Sequence, residues 1–115
     1  MNTETMSVSE VWELLEEKTK IKSEAVKEMG AYTYGFKLSG DEAGEYTLDF
    51  KGDDVVIEPS LVNETDCTLE LSDKNFKKLV NGSLNATSAF MMGKIKVVGN
   101  IGLALKLEKL LKTLF

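Results

Sequence analysis

The sequence predicts an α+β domain in which a five-stranded, mostly antiparallel sheet is covered on one face by about five helices. Five segments carry apolar residues at helical spacing and begin at a capping Ser or Asn or end at a Gly. Five other segments alternate apolar and polar residues, as half-buried strands do. A chain of 115 residues can bury one core but not two, so we expect a single domain over 1–115 with a flexible segment at 1–6.

Two helices are predicted ahead of the first strand. Ser7 and Glu10 have the spacing of a capping box, so the first helix begins at Val8 and runs to about Thr19. Apolar residues then continue at helical spacing through a short second helix, and Gly30 ends it because glycine accepts the left-handed conformation common after a helix.

Three strands follow, at 32–38, 46–50 and 55–57. Tyr, Phe and Leu alternate with small or polar residues in the first two segments, which gives each strand one apolar face. The pair Gly52-Asp53 is typical of a tight turn between neighbouring strands. We therefore expect an antiparallel meander with one aromatic face.

The second half of the chain alternates strands with helices. A fourth strand is predicted at 67–71, and Ser72 caps a helix that ends at Asn81-Gly82. A short helix is predicted between Asn85 and Gly93, followed by a fifth strand at 95–97. Asn100 then caps a terminal helix.

Composition argues against several classes of function. The chain has no histidine, and all 14 basic residues are lysines, so the commonest general base, the commonest metal ligand and the arginine clamp for phosphate are missing. A net charge of −5 argues against nucleic-acid binding. The single Cys67 has no histidine partner and is interpreted as a buried structural thiol. We therefore predict no enzyme activity, no catalytic residue, no metal and no cofactor.

The terminal helix is more apolar than packing on one sheet requires. A stripe that only packs covers a little over 100° of a helix, and the apolar arc here is wider. Two functions would explain it, namely a cavity that holds a lipid, or a protein-interaction or dimerisation module that uses the helix face. The apolar positions of this helix are Ile101, Leu103, Ala104, Leu105, Leu107, Leu110, Leu111, Leu114 and Phe115.

Lysines cluster on two predicted surfaces. Lys74, Lys77 and Lys78 share a helix face, and Lys94 and Lys96 share a strand face. One interpretation is a solvated surface. The other is transient contact with anionic membranes, to which each basic residue is attracted by about 1 kcal/mol.

Three stretches are similar to a known family. Residues 66–73 read DCTLELSD, residues 82–100 read GSLNATSAFMMGKIKVVGN, and residues 102–107 read GLALKL. They closely resemble the sterol carrier protein type-2 family, whose pattern is D-C-T, a short helix, S-A-F-x-x-G-K-[IL]-K-[IV]-x-G-N and a leucine-rich helix. The resemblance extends over residues 8–112 and is most specific within 66–107.

The resemblance implies an apolar tunnel enclosed by the sheet and the helices. It also implies noncatalytic binding of sterols, fatty acids, fatty acyl-CoAs or phospholipids. We expect the chain to transfer such a lipid between membranes or enzymes, and to be a monomer or weak dimer. A lipid head group is expected near Lys18 or Lys20. Eleven apolar residues are predicted to line the tunnel: Trp12, Leu15, Phe36, Leu48, Phe50, Leu79, Phe90, Met91, Leu103, Leu107 and Leu110.

The sequence departs from the family in two places. Peroxisomal members end in a tripeptide like Ser-Lys-Leu, whereas this chain ends Thr113-Leu-Phe115 and begins with a polar segment unlike a secretion signal. A cytoplasmic location is therefore expected. The insect branch of the family places arginines near the lipid head, and this chain contains none.

Overall fold

The computed structural model describes residues 2–52, 54–62 and 64–115. The turn predicted at Gly52-Asp53 therefore includes a residue outside this set. Within the described residues, five helices and five strands are present, which confirms the predicted fold class. In chain order they are α1 (Val8–Ile21), α2 (Ser23–Lys27), β1 (Thr33–Ser39), β2 (Gly44–Asp49), β3 (Val56–Glu58), β4 (Cys67–Ser72), α3 (Asp73–Asn81), α4 (Ala86–Met91), β5 (Ile95–Gly99) and α5 (Ile101–Leu114).

The predicted helix caps are formed. The Ser7 hydroxyl accepts from the backbone N–H of Glu10, and the Glu10 carboxylate accepts from the backbone N–H of Ser7 at 2.9 Å, so the capping box is complete. The side chains of Ser72, Asn85 and Asn100 each accept a backbone N–H in the first turn of the helix that follows. Local sequence therefore determines where these four helices begin.

The described strands form one sheet in the order β3-β2-β1-β4-β5. The first three strands are the antiparallel meander that the sequence predicts, and β5 pairs antiparallel with β4. In the centre of the sheet β4 runs parallel to β1, with Phe36 opposite Leu69. The chain must cross the sheet between β3 and β4 to reach this position, because a short hairpin cannot join parallel strands.

One face of the sheet is apolar and carries the core. The strand register places Tyr34, Phe36 and Leu38 of β1 beside Leu69 and Leu71 of β4, all of them buried. Helices α1, α3 and α5 pack against this face. The aromatic part of the core centres on the Trp12 ring, whose centroid lies 5.1 Å from that of Phe36, 5.0 Å from that of Tyr46 and 4.8 Å from that of Phe76.

Loop residues cross the opposite face of the sheet. The Thr47 hydroxyl donates to the carbonyl oxygen of Ser60 at 2.7 Å and accepts from the N–H of Val62 at 3.1 Å. Beneath this crossing lies Gly35, where an added Cβ would be 2.6 Å from the Leu61 side chain. Glycine at position 35 therefore gives the loop room to lie on the sheet.

Asp66 joins three strand ends. Its carboxylate accepts from the N–H of Thr33 at 2.8 Å, and its own N–H donates to the carbonyl oxygen of Thr33 at 2.8 Å. At Gly99, φ is +105°, and an added Cβ would lie 2.6 Å from the carbonyl oxygen of Asp66. The family-like residues at 66 and 99 are thus explained by backbone geometry, since only glycine fits this close approach.

The N-terminal residues pack on α3. Residues Thr3–Thr5 form one 3₁₀ turn, and the buried Thr3 hydroxyl donates to the carbonyl oxygen of Lys77 at 2.6 Å. The Lys77 ammonium donates to Glu42 at 2.6 Å, and the other Glu42 oxygen accepts from the N–H of Val8. These two contacts lower the pKa of Glu42. The predicted flexibility of 1–6 stays a prediction.

The contact with Glu42 corrects one sequence interpretation. Lys77 is only 9% exposed and its charge is paired, so it does not belong to an exposed basic face. Lys74 and Lys78 on the same helix are exposed. A helix of this length can present lysines to solvent on one side while a third lysine is buried by a partner carboxylate.

Candidate functional site

The terminal helix α5 is largely enclosed by protein. Leu103, Leu107, Leu110 and several smaller or neighbouring apolar residues are buried. In contrast, Ile101 is 46% exposed and Leu105 is 44% exposed. The wide apolar arc is therefore explained by packing along most of the helix, and the unexplained part is confined to its first turns.

An apolar cavity of about 70 Å³ lies beside these first turns. It is bounded by α3, α4 and α5 and by the inner face of β4 and β5. Its lining is almost entirely apolar, and Glu108 is the charged member among the described residues. The lining residues are Leu69, Leu79, Ala86, Thr87, Phe90, Ile95, Val97, Ile101, Ala104, Leu105, Leu107 and Glu108.

Two hydrogen bonds hold α5 against its neighbours at this cavity. The hydroxyl of the fully buried Tyr34 donates to the carbonyl oxygen of Leu103 at 3.0 Å, which fixes the first turns of α5 to β1. Burial raises the pKa of Tyr34, so the hydroxyl stays protonated and remains a donor. The Glu108 carboxylate accepts from the backbone N–H of Ala86, the first residue of α4. Glu108 thus connects two walls of the cavity.

The wall made by α4 is the smallest of these elements. It has six residues, and Gly93 follows it with φ of +77°, after which the Lys94 N–H donates to the carbonyl oxygen of Ala89 at 2.8 Å. A helix this short derives its stability from tertiary contacts rather than from its own hydrogen bonds. The position of α4 therefore depends mainly on its contacts with β5 and α5.

The cavity must widen to hold a lipid. Ligand pockets typically measure about 300–1,000 Å³, and an engineered cavity of about 150 Å³ holds only benzene. The 70 Å³ present here is smaller than either. The tunnel expected from the sequence resemblance therefore stays a prediction, which requires α4 and α5 to move apart.

The structure brings three of the eleven predicted lining residues to the cavity: Leu79, Phe90 and Leu107. Leu103 is buried beside the cavity, and its backbone carbonyl oxygen accepts the hydrogen bond from the Tyr34 hydroxyl. Met91 is 81% exposed and is not part of the lining.

The remaining predicted residues lie away from the cavity. Trp12, Leu15, Phe36 and Leu48 are buried in the packed core. Phe50 borders a surface groove near α2, and Leu110 borders a second groove between α2 and α5. Their assignment as lipid contacts stays a prediction.

The lysines proposed for a head group also lie elsewhere. Lys20 pairs with Glu16 at 3.5 Å on the surface of α1, and the Lys18 ammonium lies 6.0 Å from the centre of the Phe115 ring. Neither belongs to the cavity lining. A head group near these lysines would require a ligand that reaches beyond this cavity.

Sequence reasoning missed the small residues that create the space. Ala86 and Ala104 face the cavity from two helices, where larger side chains would fill it. Ala104 stands among leucines at 103, 105 and 107. One alanine within a run of leucines was the available signal for a void.

The described residues offer little for catalysis. Cys67 is fully buried, and burial raises the pKa of its thiol to about 11, so it is protonated and inaccessible at neutral pH. In the described part of the chain, no three His, Cys, Asp or Glu side chains come together as a metal site would require. Over the same residues, every helix is too short or too polar to cross a bilayer.

Comparison with known proteins gives consistent matches. The profile of the SCP-2 sterol transfer family matches residues 12–112. Hydroxysteroid dehydrogenase-like protein 2 of Xenopus laevis is 42% identical over 94 residues, which are 79% of this chain and 22% of that protein. Human sterol carrier protein 2 is 35% identical over 88 residues, which are 74% of this chain and 16% of that protein. This chain therefore spans only about a fifth of the length of these relatives.

Solved structures show the same fold. Apo sterol carrier protein 2 from Yarrowia lipolytica superimposes with a TM-score of 0.73 at 30% identity, covering 89% of this chain and 87% of that one. The sterol carrier protein domain 2 of Helicoverpa armigera also gives a TM-score of 0.73, at 31% identity, with 89% and 83% covered.

Proposed function

Because this chain belongs to the SCP-2 sterol transfer family, a lipid-binding fold, we propose that it is a noncatalytic carrier that takes up one lipid chain between α4 and α5. The observation that carries this proposal is the apolar cavity, which meets solvent where Phe90, Ile101 and Leu105 are partly exposed. A carrier needs an apolar interior that can be reached from outside, and this is the place where the described residues provide one.

The energetics favour a long apolar ligand. Each methylene transferred from water gains about 0.8 kcal/mol. Part of that gain is offset by the cost of immobilising the ligand and of separating α4 from α5. Contacts with Leu79, Leu107 and Val97 would discriminate poorly between fatty acyl and sterol skeletons, since apolar contacts differ little between ligands of similar size.

The Glu108 carboxylate restricts how a ligand is oriented. A fatty acid carboxylate placed beside it would be repelled, so an acyl chain would enter tail first with its head at the mouth. The Thr87 hydroxyl and the Glu108 carboxylate can instead accept a hydrogen bond from a sterol hydroxyl. Fatty acids, acyl-CoAs and sterols are all compatible with the proposal, and their head groups would lie in different places.

Delivery of the lipid to other membranes or enzymes belongs to the same proposal. The chain spans a small part of its curated relatives, several of which are named hydroxysteroid dehydrogenase-like protein 2. We propose no dehydrogenase activity for these residues, because the region they match is the SCP-2 domain, a lipid-binding fold that makes up about a fifth of those relatives. The cytoplasmic location expected from the sequence also remains part of the proposal.

The rival interpretation, a protein-interaction module built on the α5 face, receives less support. Six apolar residues of α5 are buried within the domain itself and are not available to a partner. Ile101 and Leu105 are the only apolar residues of this helix that are exposed for a partner to contact.

The test is to fill the cavity. Ala104→Leu adds a branched apolar side chain to the void, so binding of fluorescent fatty-acid and sterol analogues should fall at least about tenfold without loss of stability. Ala25→Leu is the matched control, because Ala25 is partly buried on α2 and lines the groove between α2 and α5. If Ala25→Leu abolishes binding and a folded Ala104→Leu does not, the lipid site is in that groove and the proposed site is wrong.

A further inference from the structure

Five apolar side chains form an exposed rim around the mouth of the cavity. Phe90 is 39% exposed, Met91 81% and Met92 68% at the end of α4, and Ile101 and Leu105 at the start of α5 are 46% and 44% exposed. Phe90, Ile101 and Leu105 also line the cavity, and Met91 and Met92 directly follow Phe90 in the chain. Apolar residues that cluster in this way on a soluble domain mark a contact surface.

The charge of the chain is distributed unevenly along its sequence. Between Lys74 and Leu107 there are six lysines and no Asp or Glu, whereas the rest of the chain has 8 lysines and 19 carboxylates. Lys94 precedes β5 and Lys96 lies within it, and both are exposed a few residues after the two methionines. Glu70 is the cross-strand neighbour of Lys96 and partly compensates its positive charge. The charge of Lys94 has no such cross-strand neighbour. Lys74, Lys77 and Lys78 line a groove with four carboxylates and Lys106 lies over the Tyr32 ring, so Lys94 and Lys96 are the two lysines that adjoin the exposed methionines.

We propose that this rim docks on an anionic membrane surface, with Met91, Met92 and Phe90 inserted below the head groups and Lys94 and Lys96 contacting the phosphates. Methionine side chains are unbranched and flexible, so they can enter an acyl layer without needing a complementary shape. Lysines beside an inserted apolar surface gain about 1 kcal/mol each near an anionic leaflet, which is about a fivefold change in affinity per residue.

The position of the rim favours a membrane over the other possible occupants. The rim encloses the cavity mouth, so a docked domain would let a lipid pass between the acyl layer and the cavity without crossing water. A symmetric second copy would bring Lys94 and Lys96 of both chains into one interface, because a two-fold interface buries the same surface of each copy. These lysines therefore disfavour a symmetric dimer on this face. The inference deepens the proposed carrier function and rests on it.

The rim residues can be tested apart from the lipid site. The variant Met91→Ser/Met92→Ser changes exposed residues that do not line the cavity. Its matched control is Ile21→Ser/Val56→Ser, which removes apolar side chains that are 66% and 46% exposed elsewhere on the surface. Lys94→Glu is compared with Lys51→Glu, an exposed lysine in the acidic half of the chain.

Each protein is sedimented with phosphatidylcholine vesicles that contain or lack phosphatidylserine, and binding of a fluorescent fatty acid is measured separately in solution. We expect the wild-type protein to bind the phosphatidylserine vesicles preferentially. The methionine variant should lose about tenfold and Lys94→Glu at least about fivefold in vesicle affinity, with the controls and all solution affinities nearly unchanged.

Three results would overturn the inference. They are a wild-type protein that does not bind the anionic vesicles, rim variants that bind as tightly as their controls, and a wild-type dimer in sedimentation velocity that Met91→Ser/Met92→Ser converts to monomer. If vesicle binding depends on the rim but no fatty acid or sterol binds in solution, the docking surface is supported and the proposed carrier function fails.

Discussion

The hydroxyl of Tyr34 donates a hydrogen bond of 3.0 Å to the backbone carbonyl oxygen of Leu103, inside the core and beside the apolar cavity. Tyr34 lies in the central strand β1, and Leu103 lies in the first turns of α5. The bond therefore holds the moving wall that we propose to a part of the sheet that has strands on both sides.

Tyr34→Phe should lower the free energy of unfolding by about 1 kcal/mol, the usual worth of one buried hydrogen bond. It should also speed hydrogen exchange in the first turns of α5. Tyr46→Phe removes a hydroxyl from a half-buried position in the neighbouring strand and serves as the control. Equal exchange in α5 of both variants would show that the Tyr34 hydroxyl does not hold this helix.

Glu108 should stabilise α4 through the backbone N–H of Ala86. Glu108→Leu leaves that donor without its partner and should cost about 1–3 kcal/mol in urea unfolding, whereas Glu108→Gln keeps an acceptor oxygen and should cost less. Because Glu108→Gln also removes the negative charge from the lining, we expect it to bind fatty acids more tightly than the wild-type protein does. Equal stability of the two variants would argue against the link between α4 and α5.

Stability should decline in alkaline solution because of Cys67. Burial raises the pKa of this thiol to about 11 in the folded protein, while an unfolded thiol titrates near about 8.5. A raised pKa means that the stabilising contribution is complete below the unfolded value and is lost as the pH rises through the folded value. Between pH ~8.5 and ~10 the free energy of unfolding should therefore fall by up to about 1.4 kcal/mol per pH unit.

Denaturant titrations of the wild-type protein and Cys67→Ala over this pH range measure the effect. The alanine variant should be less stable at pH 7, because it leaves a void in the core, and its stability should depend less on pH. Parallel pH profiles of the two proteins would contradict burial of a protonated thiol.

Alanine substitutions at two glycines distinguish the cost of a strained backbone from the cost of a steric clash. Gly93 and Gly99 both have positive φ, but an added Cβ at Gly93 has nothing within 4 Å, whereas at Gly99 it lies 2.6 Å from the Asp66 carbonyl oxygen. Gly93→Ala should lower the free energy of unfolding by about 1–2 kcal/mol, because alanine is strained in the left-handed conformation. Gly99→Ala should cost about 1–3 kcal/mol more. Thermal unfolding measures the stability of both variants. Equal losses of stability would show that the backbone at Asp66 moves aside to accommodate the added Cβ.

Much of the fold could be predicted because its determinants are local. The capping side chains of Ser7, Ser72 and Asn100 and the alternation in β1 act over a few residues, and the structure confirms these predictions. The parallel pairing of β1 with β4, in contrast, is not determined by local sequence. It depends on a loop that crosses the sheet over Gly35, and no local pattern states where a loop will lie.

The candidate site was harder to predict because a cavity forms where side chains are too small to fill the space between elements. The large apolar residues predicted to line a tunnel include Leu79, Phe90 and Leu107, which border the cavity, but also Trp12 and Phe36, whose size makes them good packing residues. Small side chains at Ala86 and Ala104 create the space, and they are apolar without being conspicuous. Glu108 was missed because a carboxylate on a leucine-rich helix suggests a solvated position.

Native mass spectrometry of the protein purified from cells tests the central claim most directly. The account predicts that the wild-type chain carries one noncovalently bound lipid, which collisional activation releases intact for identification. It also predicts that Ala104→Leu, with its cavity filled, is purified without lipid, while Ala25→Leu retains it. A wild-type chain that is purified empty and takes up neither fatty acid nor sterol, or an Ala104→Leu variant that carries lipid at the wild-type level, would contradict a lipid carrier with its site between α4 and α5.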